Sequence, residues 1–336
     1  MNILIVRLGA LGYLVHAVPA AAALRAAMPD ARIDWLVDAR HKSFLDLVTG
    51  LDRVVTLDGR SVAAWADVIK RLRQGAYDVA LDFQGLMKSA VLARASGARR
   101  VAGFSIWHLR EKGARPFYSE TGDGGGEGSA SHVIDKNLRL LRVVGVETDA
   151  IVFPLADVRS DAVAQLGDGP FALINPGAAW PNKQWSPERF GEVAAFLRDI
   201  RGLRSIVLWG PGEAGIASSV ADASKGAARL APATTIPDIV ALARAASLVI
   251  SGDTGPLHLA GAVGTPIVAI FGPTDPERNG PWSADDVVVS RYARCECHYQ
   301  RQCRADAWCL DEVTVAEVSA AILQRLATTP VASRHV

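Results

Sequence analysis

Four segments of the chain bring acids, bases and glycines together where a short apolar run gives way to a helical pattern. The richest is Ser251-Gly252-Asp253-Thr254-Gly255-Pro256-Leu257-His258. It follows an apolar run and opens a helix, so free backbone N–H groups and the Thr254 hydroxyl converge on an anion, with His258 one turn further along. An acid and a histidine beside a helix N-terminus suit a sugar diphosphate. The plainer alternative makes Asp253 a helix cap and His258 a hydrogen-bonded core histidine. In the second segment, Asn175 to Ser186, Lys183 lies in a loop between Trp180 and Trp185, where a lysine neutralises a diphosphate as a point charge. A solvated surface lysine is the commoner fate of any single Lys. In the third, Asp82-Phe83-Gln84-Gly85-Leu86-Met87-Lys88-Ser89, an acid at a strand end and a lysine in the next helix fit sugar hydroxyls or phosphate, unless Asp82 only caps that helix. The fourth, Arg7-Leu8-Gly9-Ala10-Leu11-Gly12-Tyr13, lets backbone approach a ligand at the positive end of a helix, or is an ordinary tight turn.

Several chemistries lose support. The sequence has no GxxxxGK[ST] loop, no GxGxxG opening a βαβ unit and no GxSxG elbow. Kinase, nicotinamide and α/β-hydrolase readings weaken accordingly. Half of the 336 residues are apolar, and 36 basic against 35 acidic side chains leave a net charge of +1. That balance excludes a disordered chain and argues against nucleic acid as a partner. All four cysteines fall between Cys295 and Cys309.

The elements that must position these residues alternate between strand and helix. Strands are expected at Ile3–Val6, Arg32–Val37, Arg53–Leu57, Ala76–Asp82 and Val101–Phe104, with helices at Ala64–Arg73 and Gln84–Gly97 between them. From Arg110 to Ser131 the pattern fails, and the Gly-rich stretch ETGDGGGEGSAS predicts a mobile surface loop. A helix follows at His132–Val144. A second alternating set predicts strands at Phe171–Asn175, Ser205–Trp209, Leu248–Ser251 and Ile267–Phe271, and helices at Pro187–Arg198, Gly215–Ala223, Ile236–Ala245, Pro256–Val263 and Val313–Leu326. The fold class is therefore α/β, with two Rossmann-like parallel-sheet domains facing a cleft. The expected divisions are 1–168, 169–312, and a C-terminal helix and tail at 313–336. Arg7 interrupts the first apolar run and no basic region precedes it, which speaks against a signal peptide. No stretch of ~20 uncharged apolar residues predicts a membrane-spanning helix. A cytoplasmic protein is expected.

At the four junctions the sequence resembles the lipopolysaccharide heptosyltransferases, glycosyltransferase family 9. The resemblance rests on ILIVRLGALG-x-x-x-HAVPA, YDVALDFQGLMKSA, NPGA with K-x-W-x-x-E-x-F, and SGDTGPLHLAGAVGTPIVAIFGPTDP. Arg110-Glu111 and His132 also sit where such enzymes have similar residues. The resemblance implies a GT-B fold, with an acceptor domain followed by a donor domain. It implies inverting transfer of a heptose, typically from ADP-heptose, to the inner core of lipopolysaccharide, with no cofactor or divalent metal for that step. Lys183, Glu213, Asp253, Thr254, Gly255 and His258 would bind the donor, Lys183 on its phosphates and Glu213 on its ribose. Arg7, Gly12, Gln84, Lys88 and Arg110 would lie on the acceptor side. Lys112 and Arg115 add to that basic group, which suits a phosphorylated, membrane-embedded acceptor. Peripheral contact with the inner leaflet would then follow from the acceptor, not from an amphipathic anchor.

Two departures stand out. Where the family has Leu-Gly-Asp, with the Asp as general base, this chain has Leu11-Gly12-Tyr13. A phenol with a pKa near 10 is a poor base at neutral pH. Asp82 serves instead, or nearby cations deprotonate Tyr13, or activity is reduced. Ala178-Ala179 also replaces hydroxyl residues that some relatives hold near the donor phosphates. The competing readings are a transferase of the same fold with another nucleotide sugar or a protein acceptor, and a catalytically weak nucleotide-sugar-binding relative.

The cysteines are spaced Cys295-x-Cys297-x5-Cys303-x5-Cys309. Clustered thiols of this kind predict a structural zinc or iron site; reduced thiols and a disulfide stay open. Some members of the resembled family carry a similar cysteine-rich insert, at least one group with iron.

Overall fold

The computed structural model describes residues 1–122, 132–303 and 308–328. The chain forms two compact units, Met1–Ala156 and Asp157–Val336. The first contains strands β1 (Asn2–Val6), β2 (Arg32–Asp38), β3 (Arg53–Leu57), β4 (Val79–Asp82), β5 (Arg100–Phe104) and β6 (Glu120–Gly122). The second contains β7 (Phe171–Asn175), β8 (Arg204–Val207), β9 (Ala228–Leu230), β10 (Leu248–Gly252), β11 (Ile267–Phe271) and β12 (Val287–Ser290). Both sheets are parallel throughout, in the orders β3-β2-β1-β4-β5-β6 and β12-β11-β10-β7-β8-β9. Runs such as Phe171–Asn175 and Ile267–Phe271 are buried at every residue, as strands covered on both faces must be.

Each sheet reverses its strand order once, between β1 and β4 and between β10 and β7. Loops leaving such a pair diverge and open a crevice at the carboxyl ends of the strands. The register sets Val6 beside Asp82 and Ser251 beside Asn175. All four polar segments of the sequence therefore emerge at these two points.

The unit boundary falls at Ala156/Asp157, twelve residues before the expected 168/169. Residues after it are tied to the second sheet. Ser160 donates to Asp238, Arg244 pairs with Asp157, and Arg204 reaches the Leu166 carbonyl. The C-terminal helix Val315–Ala327 is likewise no separate piece, since Val318, Ala321 and Ile322 share one core with Trp185, Phe190 and Val289.

The expected loop at Arg110–Ser131 is only partly a loop. Lys112–Phe117 forms a 3-10 helix and β6 pairs with β5, while 123–131 lie outside the described residues. β4 begins three residues later than expected, because Ala76 takes a left-handed turn at φ 45°. β6, β9 and β12 were not anticipated; all three are sheet edges, and β6 and β9 are only three residues long. Among the described residues, no helix is long and apolar enough to cross a membrane.

Candidate active site

In the second unit, glycines let three loops close on one another where β7 and β10 end. A Cβ added to Gly252 would stand 2.9 Å from the Lys183 carbonyl oxygen, so only glycine lets the Lys183 loop lie against β10. Lys183 Nζ then meets Asp253 Oδ2 at 2.6 Å, and its ammonium sits 4.7 Å from the Trp180 ring. His258 Nε2 is 3.2 Å from Asp253 Oδ1. Burial opposes ionisation of Asp253, yet the His258 hydrogen bond and the Lys183 charge hold its carboxyl far below the usual range. An ionised carboxylate only accepts, so His258 donates from Nε2. Its side chain is 5% exposed. His258 thus orients Asp253, which joins the two alternatives read from the sequence: a buried histidine, held at the functional residue.

Asp253 does not cap the following helix, Gly255–Ala262, and neither does Thr254, whose side chain makes no cap bond. Thr254 Oγ1 turns instead toward Ser251 Oγ (3.0 Å) and Asn175 Nδ2 (3.0 Å). The first N–H groups of the helix, beginning at Gly255, are left without a side-chain cap, a disposition that favours an anion. Asn175 also reaches Ser251 Oγ and the Gly177 carbonyl. Asn175 and Ser251 had no assigned role, although a polar residue ending a wholly apolar strand was the available signal.

Glu213 arrives from the end of β8. It accepts from the Gly210 N–H at 2.9 Å, and its carboxylate fills the space beside Gly177, where an added Cβ would lie 2.4 Å away. Lys183, Glu213, Asp253, Thr254, Gly255 and His258 therefore lie in one connected set of loops at a single switch point. That set offers a cation, helix N–H groups and a carboxylate, which together suit a nucleoside diphosphate.

In the first unit, Arg7 is 7% exposed, donates to the Phe83 carbonyl and lies 4.6 Å from the Tyr13 ring. Gln84 Oε1 accepts the Leu8 N–H at 2.7 Å, which ties the loop after β1 to the loop after β4. Tyr13 and Gly12 fall in the short helix Leu11–Val15. The Tyr13, His16 and His132 rings follow one another, with centroids 6.3 and 5.1 Å apart. His132 Nδ1 accepts the Ile134 N–H and so caps the helix Val133–Leu140. His16, the histidine of the HAVPA run that carries part of the family resemblance, stands between the other two rings. Lys88 and Arg110 are exposed, the latter beside Glu111, which accepts the Met87 N–H at 2.7 Å.

Asp82, the candidate base, is built into the fold of the first unit. It is fully buried, and both its oxygens are occupied. Oδ1 accepts from the Gln84 and Gly85 N–H groups, and Oδ2 from Ser89 Oγ and the Tyr118 hydroxyl. It builds the turn after β4, so the helix starts at Met87 and not at Gln84. Burial raises its pKa, against those hydrogen bonds.

Of the four cysteines, Cys295 and Cys297 are buried, with their sulfurs 3.5 Å apart. No disulfide joins them. Burial raises the thiols of Cys295 and Cys309, which lie close enough to share a hydrogen bond. Among the described residues, no three His, Cys, Asp or Glu side chains are placed to hold a metal ion.

Comparison with known proteins accords with this geometry. Lipopolysaccharide heptosyltransferase 1 of Pseudomonas aeruginosa is 26% identical over 321 residues, covering 90% of this chain and 87% of that protein. Among solved structures, E. coli heptosyltransferase WaaC with ADP superposes at a TM-score of 0.76, with 23% identity over 97% of this chain and 98% of that one. WaaC with ADP-2-deoxy-2-fluoro heptose gives 0.74, also at 23% identity, over 96% and 99%. The fold is GT-B. The profile of glycosyltransferase family 9 (heptosyltransferase) matches residues 65–309, well over half of the sequence, and the chain belongs to that family of glycosyltransferases.

Proposed function

We propose that the protein transfers a heptose from ADP-heptose, with inversion, to a phosphorylated lipopolysaccharide inner-core or similar glycan acceptor. The observation that carries this reading is the Lys183–Asp253–His258 chain set against the uncapped helix N-terminus at Gly255. Inverting displacement needs a stabilised diphosphate leaving group more than it needs covalent chemistry. Lys183 has three donors and directs two at Asp253, one to the carboxylate and one to the main-chain carbonyl, which fixes its direction and leaves the third for a phosphate oxygen. Glu213 would take the ribose hydroxyls. The relatives support a nucleotide-sugar donor, since the WaaC structures carry ADP and an ADP-heptose analogue. Arg7, Gly12, Gln84, Lys88 and Arg110 would serve the acceptor, with Tyr13 at the position of the family base. The reaction would take place in the cytoplasm, at the inner face of the inner membrane. Tyr13 favours one second reading, a relative that binds nucleotide sugar and transfers slowly.

Titration of the purified chain by calorimetry with ADP-, UDP- and GDP-sugars checks the donor. Binding of ADP-heptose at least tenfold tighter than the UDP- and GDP-sugars is expected. A preference for another nucleotide refutes the assignment, and tight donor binding with only trace hydrolysis and transfer selects the second reading.

The transfer step is proposed to need no cofactor. For the cysteines we propose a structural zinc or iron. The Cys295–Cys297 sulfur separation of 3.5 Å is close to the ~3.8 Å edge of a tetrahedron of 2.3 Å Zn–S bonds. Cys303 and Cys309 would have to close on that pair. Metal analysis of protein purified without chelator is expected to give about one equivalent per chain; a folded, metal-free sample ends the idea.

A further inference from the structure

We infer that the surface formed by Met87, Lys88, Ile106, Trp107 and Lys112 docks the first unit onto an anionic lipid bilayer. The inference rests on the proposed lipid-linked acceptor and adds to it a surface that meets the bilayer in the absence of lipopolysaccharide, sharing Lys88 and Arg110 with the acceptor side. Trp107 is 71% exposed, Ile106 40% and Met87 39%. These are large apolar side chains that a soluble surface has no reason to gather.

They are gathered by packing. The turn Ile106–His108 packs on the turn Lys112–Phe117, which packs in its turn on the helix Met87–Ala95. Met87 Sδ lies so close to Gly113 that an added Cβ would stand 2.8 Å from it, and the Glu111 N–H donates to the Gly85 carbonyl. The Trp107 turn is also braced from below. Leu109 and Ala114 are buried, and Lys136 Nζ donates to the His108 carbonyl at 2.6 Å while lying over the Phe104 ring. Trp107 is therefore held outward by fixed structure.

The charges around it name the occupant. Lys88, Arg110 and Lys112 are exposed on the same two segments. The nearby carboxylates are engaged: Glu111 accepts the Met87 N–H, and Glu120 is paired with Arg100. Tryptophan and isoleucine flanked by exposed Lys and Arg is the composition of a surface that sits at the headgroup level of a bilayer, the ring in the interface and the cations on anionic headgroups.

Flotation of the full chain with vesicles checks this, using phosphatidylethanolamine with about one-third phosphatidylglycerol against phosphatidylcholine alone, neither containing lipopolysaccharide. The protein is expected to float with the anionic vesicles only, and to lose binding as salt rises. Trp107→Ser and Lys112→Glu are each expected to weaken that binding at least fivefold, with melting temperature and nucleotide-sugar affinity unchanged. Failure of the wild type to float, variants that float as well as it does, or a solution dimer that Trp107→Ser dissolves would overturn the inference. The donor titration is independent: lost donor binding with retained flotation rejects the proposed function alone, and the converse rejects the docking surface alone.

Discussion

Asp253→Ala is expected to lower the free energy of unfolding by about 3 kcal/mol and to weaken nucleotide-sugar binding at least tenfold. The side chains it joins have little other recourse. Lys183 is 15% exposed and His258 5%, and both point at the Asp253 carboxylate. Removing the carboxylate strands a buried cation, the costly way to break an ion pair. Lys183 retains some access to solvent, which puts the cost at the low end of the usual range. For a unit of this size the melting temperature should fall by about 6–12 °C. Lys183→Ala separates the two effects, because Asp253 keeps its His258 hydrogen bond. It should bind donor at least as poorly, which is about 1.4 kcal/mol or more, with a smaller loss of stability. The depressed pKa fixes the pH dependence. The Asp253 contribution is fully present above its unfolded pKa of about 3.9 and fades as pH falls further toward the folded value, so wild type and Asp253→Ala should converge in stability in acid. An Asp253→Ala protein that melts and binds like wild type refutes the account.

Much of this was legible because strands and helices write themselves into periodicity. Phe171–Asn175, Ile236–Ala245 and Ile267–Phe271 were placed to the residue by their apolar patterns and turn signals. The Asp253 and Lys183 loops were recognisable as polar breaks after apolar runs. Their joining was not, because it depends on strand order. β7 and β10 are neighbours although two strands intervene in sequence, and nothing local to Asn175 or Ser251 records that they will face each other. The same limit hid the status of Asp82. An acid at a strand end reads identically whether it faces a ligand or a tyrosine 36 residues on. Composition hid the Trp107 surface too, since exposure belongs to the fold and not to the residue. β12 is different: Val287-Val288-Val289 after Asp285-Asp286 carries an adequate strand signal of its own.

Asp82→Ala is expected to destabilise the first unit by about 3–5 kcal/mol, and Asp82→Asn by about 1–2 kcal/mol, with turnover by Asp82→Asn close to wild type. Four donors converge on the carboxylate inside a fully buried pocket, and alanine strips the Gln84 and Gly85 N–H groups and the Tyr118 hydroxyl of this acceptor, while Ser89 Oγ keeps the Leu86 carbonyl at 2.9 Å. Asparagine keeps one oxygen for the Gln84 and Gly85 N–H groups, while its amide meets Ser89 and Tyr118, whose hydroxyls can turn to accept. The raised pKa gives the sign in pH. The ionised form is disfavoured by burial, so the residue's stabilising contribution is greatest below the unfolded pKa and declines as pH rises through the folded one; the gap between wild type and Asp82→Ala should be widest in acid. Turnover should respond elsewhere. Tyr13 lies in the short helix after β1 with the Arg7 guanidinium 4.6 Å from its ring, at the position proposed for the family base. Tyr13→Phe should therefore cut kcat at least tenfold with donor affinity unchanged, and Asp82→Asn should not. If Asp82→Asn abolishes turnover in a folded protein while Tyr13→Phe leaves it intact, the buried carboxylate lies on the proton path and the structural role assigned to it is wrong.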